Sequence, residues 1–158
     1  MIYQKIKTFL WYDNKAEEAA EFYCSLFPDS RIISVSRFPE GSPAPAGTAM
    51  TVEFELAGIR FVALNGGPVF QFTEAISLTV DCEDQQEVDR LWDKLTDGGT
   101  PSHCGWLKDR YGLSWQIIPG ILPRLLSNPD AAVAQRVMTA MLQMAKIDIA
   151  TLQQAANG

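Results

Sequence analysis

Residues 104–119, CGWLKDRYGLSWQIIP, bring a thiol, a lysine, an aspartate, two tryptophans and a glutamine into one short stretch. Three kinds of chemistry draw on such groups. A cysteine beside a histidine can serve as nucleophile and base, and Cys104 directly follows His103. Neighbours on a strand point to opposite faces, so without a sharp turn the two diverge, and the pair reads as a loop histidine beside a small apolar thiol. A lysine facing a cavity is a counter-ion for an anion. Trp106, Lys108 and Arg110 alternate along one strand and share a face, with Leu107 and Asp109 on the other. Either that face lines a cavity and Lys108 meets an anionic ligand, or it looks outward. Outward, Lys108 is a solvated edge charge that discourages strand-to-strand aggregation. Metal-free acid–base work would need a carboxylate, for which Glu53, Glu55 and Asp109 are the candidates. Glu53 and Glu55 flank Phe54, however, and also read as the wet face of an antiparallel strand.

Metal chemistry has few donors to draw on. The chain has one histidine, His103, so a site of two or three histidines cannot be built within it. Cys24, Cys82 and Cys104 are odd in number, far apart and without zinc spacing, so reduced and mostly buried thiols are expected. The 158 residues, 47% hydrophobic and 20% charged, describe a soluble globular chain of one domain or two small halves. A net charge of −6 without a Lys/Arg cluster argues against nucleic acid as a partner. No apolar run is long enough to span a membrane, and the start shows no signal-peptide cleavage site, so a cytoplasmic protein without a membrane partner is expected.

The elements that must position these groups follow a repeated grammar. Residues 6–11 read as a strand, and DNKAEEAAEFYCSLF as a helix with Asn14 as its cap and Pro28 as its stop. RIISVSRF, TAMTVEFEL and IRFVALNGG then read as three strands. From 75 the order recurs: the strand AISLTVDC, then a helix with Val88, Leu91, Trp92 and Leu95 on one face, closed by Gly98–Gly99. The strands SHCGWLKDR and LSWQIIP follow. The order reads as an internal duplication, roughly residues 3–66 and 75–119, in which Gly58 aligns with Gly112 and Phe61 with Trp115; the alternative is a single α+β sheet without symmetry. Residues 121–158 form a helical tail, with Asn128 as a cap, Pro129 in the first helical position, and Asp148 capping a last segment.

AEEAAEFYCSLFPDSRI, FVALNGGPVFQFTEAISLTVDCEDQQEVDRLWDKL, CGWLKDRYGLSWQIIP and MLQMAKIDIATLQQA carry a resemblance that covers most of the chain. They resemble the PhnB-like branch of the vicinal oxygen chelate superfamily, the group of glyoxalase I, extradiol dioxygenases and fosfomycin and bleomycin resistance proteins. Members often bear the label demethylubiquinone methyltransferase. The resemblance implies an α+β fold of two βαβββ modules forming a cup-shaped mixed sheet over residues 1–120, with the tail at 121–158. A methyltransferase label fits the residues poorly, because neither Gly66–Gly67 nor Gly98–Gly99 opens a Gly-rich turn into a helix.

The superfamily holds a divalent metal with one His, Glu or Gln from the first and last strand of each module. Carried onto this sequence, those positions fall at Thr8 (or Ile6), Val62 (or Leu64), Ala75 or Ser77, and Gln116. Such a set offers no anionic oxygen and no imidazole, so neither metal nor other cofactor is expected. The expectation is an unidentified small molecule bound in the cup, with Thr8, Ser77, Gln116, Trp106 and Lys108 as pocket candidates. The chain is either an enzyme of unassigned activity or a module that sequesters its ligand, with a metal-dependent enzyme as the third possibility. Open sheet edges and the apolar stripe Val133, Val137, Met138, Met141 and Leu142 lead to the expectation of a homodimer.

Overall fold

The computed structural model describes residues 3–158. The chain divides into two compact units, Met1–Gln71 and Phe72–Gly158. Each holds one four-stranded mixed sheet, as the α+β reading with two βαβββ modules requires.

In the first unit the elements run β1 (Thr8–Tyr12), α1 (Ala16–Leu26), β2 (Arg31–Arg37), β3 (Ala49–Leu56) and β4 (Ile59–Asn65). The spatial order is β1-β4-β3-β2, with β1 parallel to β4 and the remaining pairs antiparallel. The helix between β1 and β2, and the two reversals after it (a loop over 38–48 and the tight turn at Ala57–Gly58), leave β4 running parallel to β1. The core lies between sheet and helix. Leu10, Tyr12, Val52, Phe54, Phe61 and Ala63 meet Ala16, Ala19, Ala20 and Tyr23, all buried. Phe54 and Phe61 stack at 5.6 Å, and Tyr23 packs on Phe54 at 6.3 Å.

The start of α1 differs from the sequence expectation. Asn14 adopts a left-handed conformation with φ 60° and does not cap the helix. Asn65, at the end of β4, supplies the cap instead. Its Oδ1 accepts from Ala16 N at 2.9 Å while its Nδ2 donates to Ala49 O at 2.9 Å, tying helix, β3 and β4 together.

The second unit repeats the plan with β5 (Ser77–Cys82), α2 (Gln85–Thr96), β6 (Thr100–Pro101), β7 (Trp106–Lys108) and β8 (Ser114–Pro119), ordered β5-β8-β7-β6. The stripe Val88, Leu91, Trp92 and Leu95 is buried, as its spacing predicts, against Leu107, Trp115 and Ile117. Gly58 and Gly112 both sit at φ near +86° in the turn before the last strand (85° and 88°), and the residue three later is core in each unit: Phe61 and Trp115. The two units thus place matching residues in matching positions.

The helices α3 (Ile121–Leu126), α4 (Ala131–Met141) and α5 (Ile149–Asn157) belong to the second unit. Leu122, Val137, Ile147 and Leu152 form their own core, with Ile118, Val133 and Met141 packed against it. Val133, Val137 and Met141 thus serve their own chain, while Met138 and Leu142 are exposed. Asp148 caps α5 as expected, accepting from Thr151 N at 2.9 Å. The α4 cap is Asp130, accepting from Ala132 N at 3.0 Å, while Asn128, two residues before it, accepts from Asp130 N. Gln85 of α2 grips the tail from both sides, donating to Ile147 O at 3.0 Å and accepting from Ile149 N at 2.8 Å.

Candidate functional site

Strand alternation and register decide which side chains can act together. In the second sheet Leu107, Trp115 and Ile117 face α2, so their neighbours face the other way. The register aligns Ser77, Ser114, Lys108 and Thr100 in one row across all four strands. It aligns Thr79, Gln116 and Trp106 in the next. Gln116 Nε2 donates to Ser77 Oγ at 2.9 Å, and Trp106 and Lys108 are half-buried beside them. Four of the five candidates named from sequence therefore share one face. The end of that face, at Ile118, is covered by the tail.

A recess of about 250 Å³ opens on this face, lined by Glu74, Thr100, Ser102, Trp106, Lys108 and Ser114 among others. Lys108 Nζ meets Glu74 Oε1 at 2.6 Å, and this bond holds the Glu74 carboxyl below its usual range. Ser114 is 1% exposed, and its hydroxyl has no hydrogen-bond partner among the described residues.

Thr8 lies elsewhere. It pairs with Phe61 in the first sheet, on the face that carries Leu10, Tyr12 and α1, and is itself exposed. Val62 and Leu64 look to the opposite face, so the structure does not bring Thr8 together with either. Ile6 and Ala75 fall outside the strands, Ile6 being largely exposed. The residue of the first unit that corresponds to Thr79 is Phe9, opposite Val62.

The carboxylate candidates are already engaged. Glu53 meets Lys7 at 2.8 Å and Arg60 at 3.6 Å, and Glu55 meets Arg60 at 3.8 Å and Arg31 at 3.9 Å. Asp109 is buried and accepts from Trp115 Nε1 at 2.9 Å, Tyr111 N at 2.8 Å and Leu113 N at 3.1 Å, which makes it the anchor of the β7–β8 turn. Arg110 lies in that turn, beyond the end of β7. Cys104 sits in a left-handed turn with φ 58° beside His103. Burial pushes the Cys24 thiol up and the Cys82 thiol to about 12, the latter helped by Glu87 and Asp81, so neither is a ready nucleophile.

Residues 4–118 match the family model described as 3-demethylubiquinone-9 3-methyltransferase. A PhnB protein from Bacillus cereus, described in the same terms, is 41% identical over 73% of this chain and 99% of its own, with a TM-score of 0.69. The chain belongs to this family.

Two further solved structures share the fold. A Pseudomonas aeruginosa protein is 19% identical over 73% of this chain and 96% of its own, at a TM-score of 0.60. The fosfomycin resistance protein FosX from Listeria monocytogenes, solved with Mn(II) and sulfate, is 16% identical over 76% and 94%, at 0.53. No curated protein matches the chain. The family match ends before α3, so the tail helices lie beyond it.

The superfamily's metal can be tested against the residues here. Phe9 and Val62 are apolar, and the amide of Gln116 is turned as a donor toward Ser77. Among the described residues no three His, Cys, Asp or Glu side chains converge as ligands. This donor set does not fit a divalent cation. The methyltransferase name of the family also finds no glycine-rich cofactor turn among the described residues. Gly66 is small because the Trp11 indole lies against it: an added Cβ would fall 2.3 Å from Trp11 Cζ2. The chain then leaves Gly67 into irregular structure, with no helix before α2.

Proposed function

We propose that the face of the second sheet bearing Ser77, Gln116, Trp106 and Lys108 binds a small molecule. The observation that carries this is the convergence of an amide, hydroxyls, an indole and an ammonium on one face beside a recess of about 250 Å³. A few directed polar groups against an apolar wall are what a small-molecule site needs. Because Glu53, Glu55 and Asp109 are all engaged, the reading is of binding, with no reaction derived from it.

Catechol and benzoate serve as neutral and anionic probes, followed by NMR at the Gln116 side-chain amide and the Trp106 indole. Binding should move both resonances, and Gln116→Ala should weaken it about tenfold. A probe that binds and leaves both unmoved removes the reading. Protein purified without chelator should carry far less than one equivalent of transition metal by elemental analysis.

The reading extends to a homodimer in the cytoplasm. Each unit's own sheet ends in edge strands that need cover, and the cysteines are free thiols, as a reducing compartment keeps them. Light scattering at micromolar concentration should give twice 17.5 kDa. A mass of 17.5 kDa would leave Met138 and Leu142 as ordinary surface residues.

A further inference from the structure

We propose that the recess beside β7 is a carboxylate subsite, in which the chain's own Glu74 is the resident occupant and a ligand carboxylate takes its place. This rests on the reading above and names the ligand class. Three observations meet here. Lys108 is the cation of the recess, and its partner Glu74 lies on an exposed stretch between β4 and β5 that has no helix or strand. An exposed pair of this kind is held weakly and exchanges readily. The Ser114 hydroxyl lies opposite Lys108 in register, lines the same recess, and is buried without a hydrogen-bond partner among the described residues. Native folds rarely leave a buried hydroxyl unpaired, and one beside a cation is a donor in waiting for an anionic oxygen.

The third observation is the composition of the lining. One ammonium with the hydroxyls of Thr100, Ser102 and Ser114 balances a single negative charge, which suits a carboxylate better than a dianionic phosphate. Trp106 supplies an apolar wall for whatever carries that carboxylate. Glu74 thereby acts as an internal competitor: every ligand must displace it, and apparent affinity falls by the fraction of time it occupies the subsite.

The test titrates the full chain with benzoate, benzamide and inorganic phosphate, read at the Trp106 indole resonance. Benzoate should bind more tightly than either of the others. Glu74→Gln and Glu74→Ala should both tighten benzoate about two- to sixfold. Lys108→Gln and Ser114→Ala should weaken it about tenfold, with Ser114→Ala melting no lower than the parent. Equal affinity for benzamide, tighter binding of phosphate, or Glu74 variants that leave benzoate unchanged would each overturn the proposal. Catechol still moving Gln116 and Trp106 in that event would leave the binding face standing without its carboxylate subsite.

Discussion

The two sheets share strand order, pairing directions and the glycine turn before the last strand, and they differ on the faces turned away from α1 and α2. In the first sheet the charges there satisfy each other: Glu53 and Glu55 sit among Lys7, Arg60 and Arg31. In the second sheet the corresponding rows hold hydroxyls, an amide, an indole and one lysine, and the Ser114 hydroxyl is unpaired among the described residues. The positions that face the helices match between the two sheets, because those set the core. The other face is free to diverge, and a self-neutralised network there offers little to a ligand. Polar groups with unused capacity are where recognition is to be sought.

The largest effect that would test this equivalence is in the core. Phe61→Ala and Trp115→Ala occupy matching positions, and each should cost about 3–5 kcal/mol in urea unfolding. Trp115→Ala should cost more, because it also strips the indole donor from buried Asp109. A cheaper Trp115→Ala would break the match between the modules.

Next in size is Gln85→Ala, which has no counterpart in the first unit. Losing both hydrogen bonds to the tail should cost about 1–3 kcal/mol. Limited proteolysis should then cut in residues 142–148 before anywhere in the first unit.

The two faces should respond in opposite directions to smaller changes. Glu53→Gln breaks part-exposed pairs with Lys7 and Arg60 and should destabilise by up to about 1 kcal/mol. Ser114→Ala removes an unpaired buried hydroxyl and should be neutral or stabilising by about 1 kcal/mol. A clear loss from Ser114→Ala would mean that its hydroxyl has a structural partner after all.

Acid has the smallest expected effect. Hydrogen bonds from Gln85 and Lys146 hold Asp89 below its usual range, and that from Arg37 does the same to Glu17. With folded values below unfolded ones, both contributions are complete above the ordinary carboxylate range and fade as pH falls through the depressed folded values. Melting temperature should be level from pH 7 to 5 and fall below about pH 4. Asp89→Asn should flatten the part of that fall that comes from the tail.

Much of this was legible in the sequence. The α2 stripe, the Asp148 cap and the pairing of Phe61 with Trp115 were read from spacing, because they rest on local periodicity and turn chemistry. The α1 cap was not, since Asn65 arrives from the far end of β4 and no local rule looks 49 residues ahead. Thr8 shows how sharply a site depends on register. One position along β1, Phe9 faces the other side of the sheet, and a carry-over by family pattern cannot resolve a single-residue slip. Ser114 was readable in principle, standing two residues before Gln116 on the same face. Glu74 was not, because its role comes from where an irregular stretch happens to run.

The turn at Cys104–Gly105 ties β7 to the tail through main-chain atoms alone. Cys104 N donates to Met144 O and Gly105 N to Ala145 O, both at 2.8 Å, and Gly105 O accepts from Ile117 N at 2.8 Å. An added Cβ at Gly105 would fall 2.8 Å from Ile118 Cδ1 and 2.9 Å from Ile117 O, so the approach is closed to any larger residue. The amide protons of residues 104 and 105 therefore share one fate under exchange with deuterated water, while that of Ile117 waits on its bond to the β7 turn. Those at 104 and 105 can trade only when the tail lifts away, which makes them a built-in clock for how often α4 and α5 let go of the strand that carries Trp106 and Lys108.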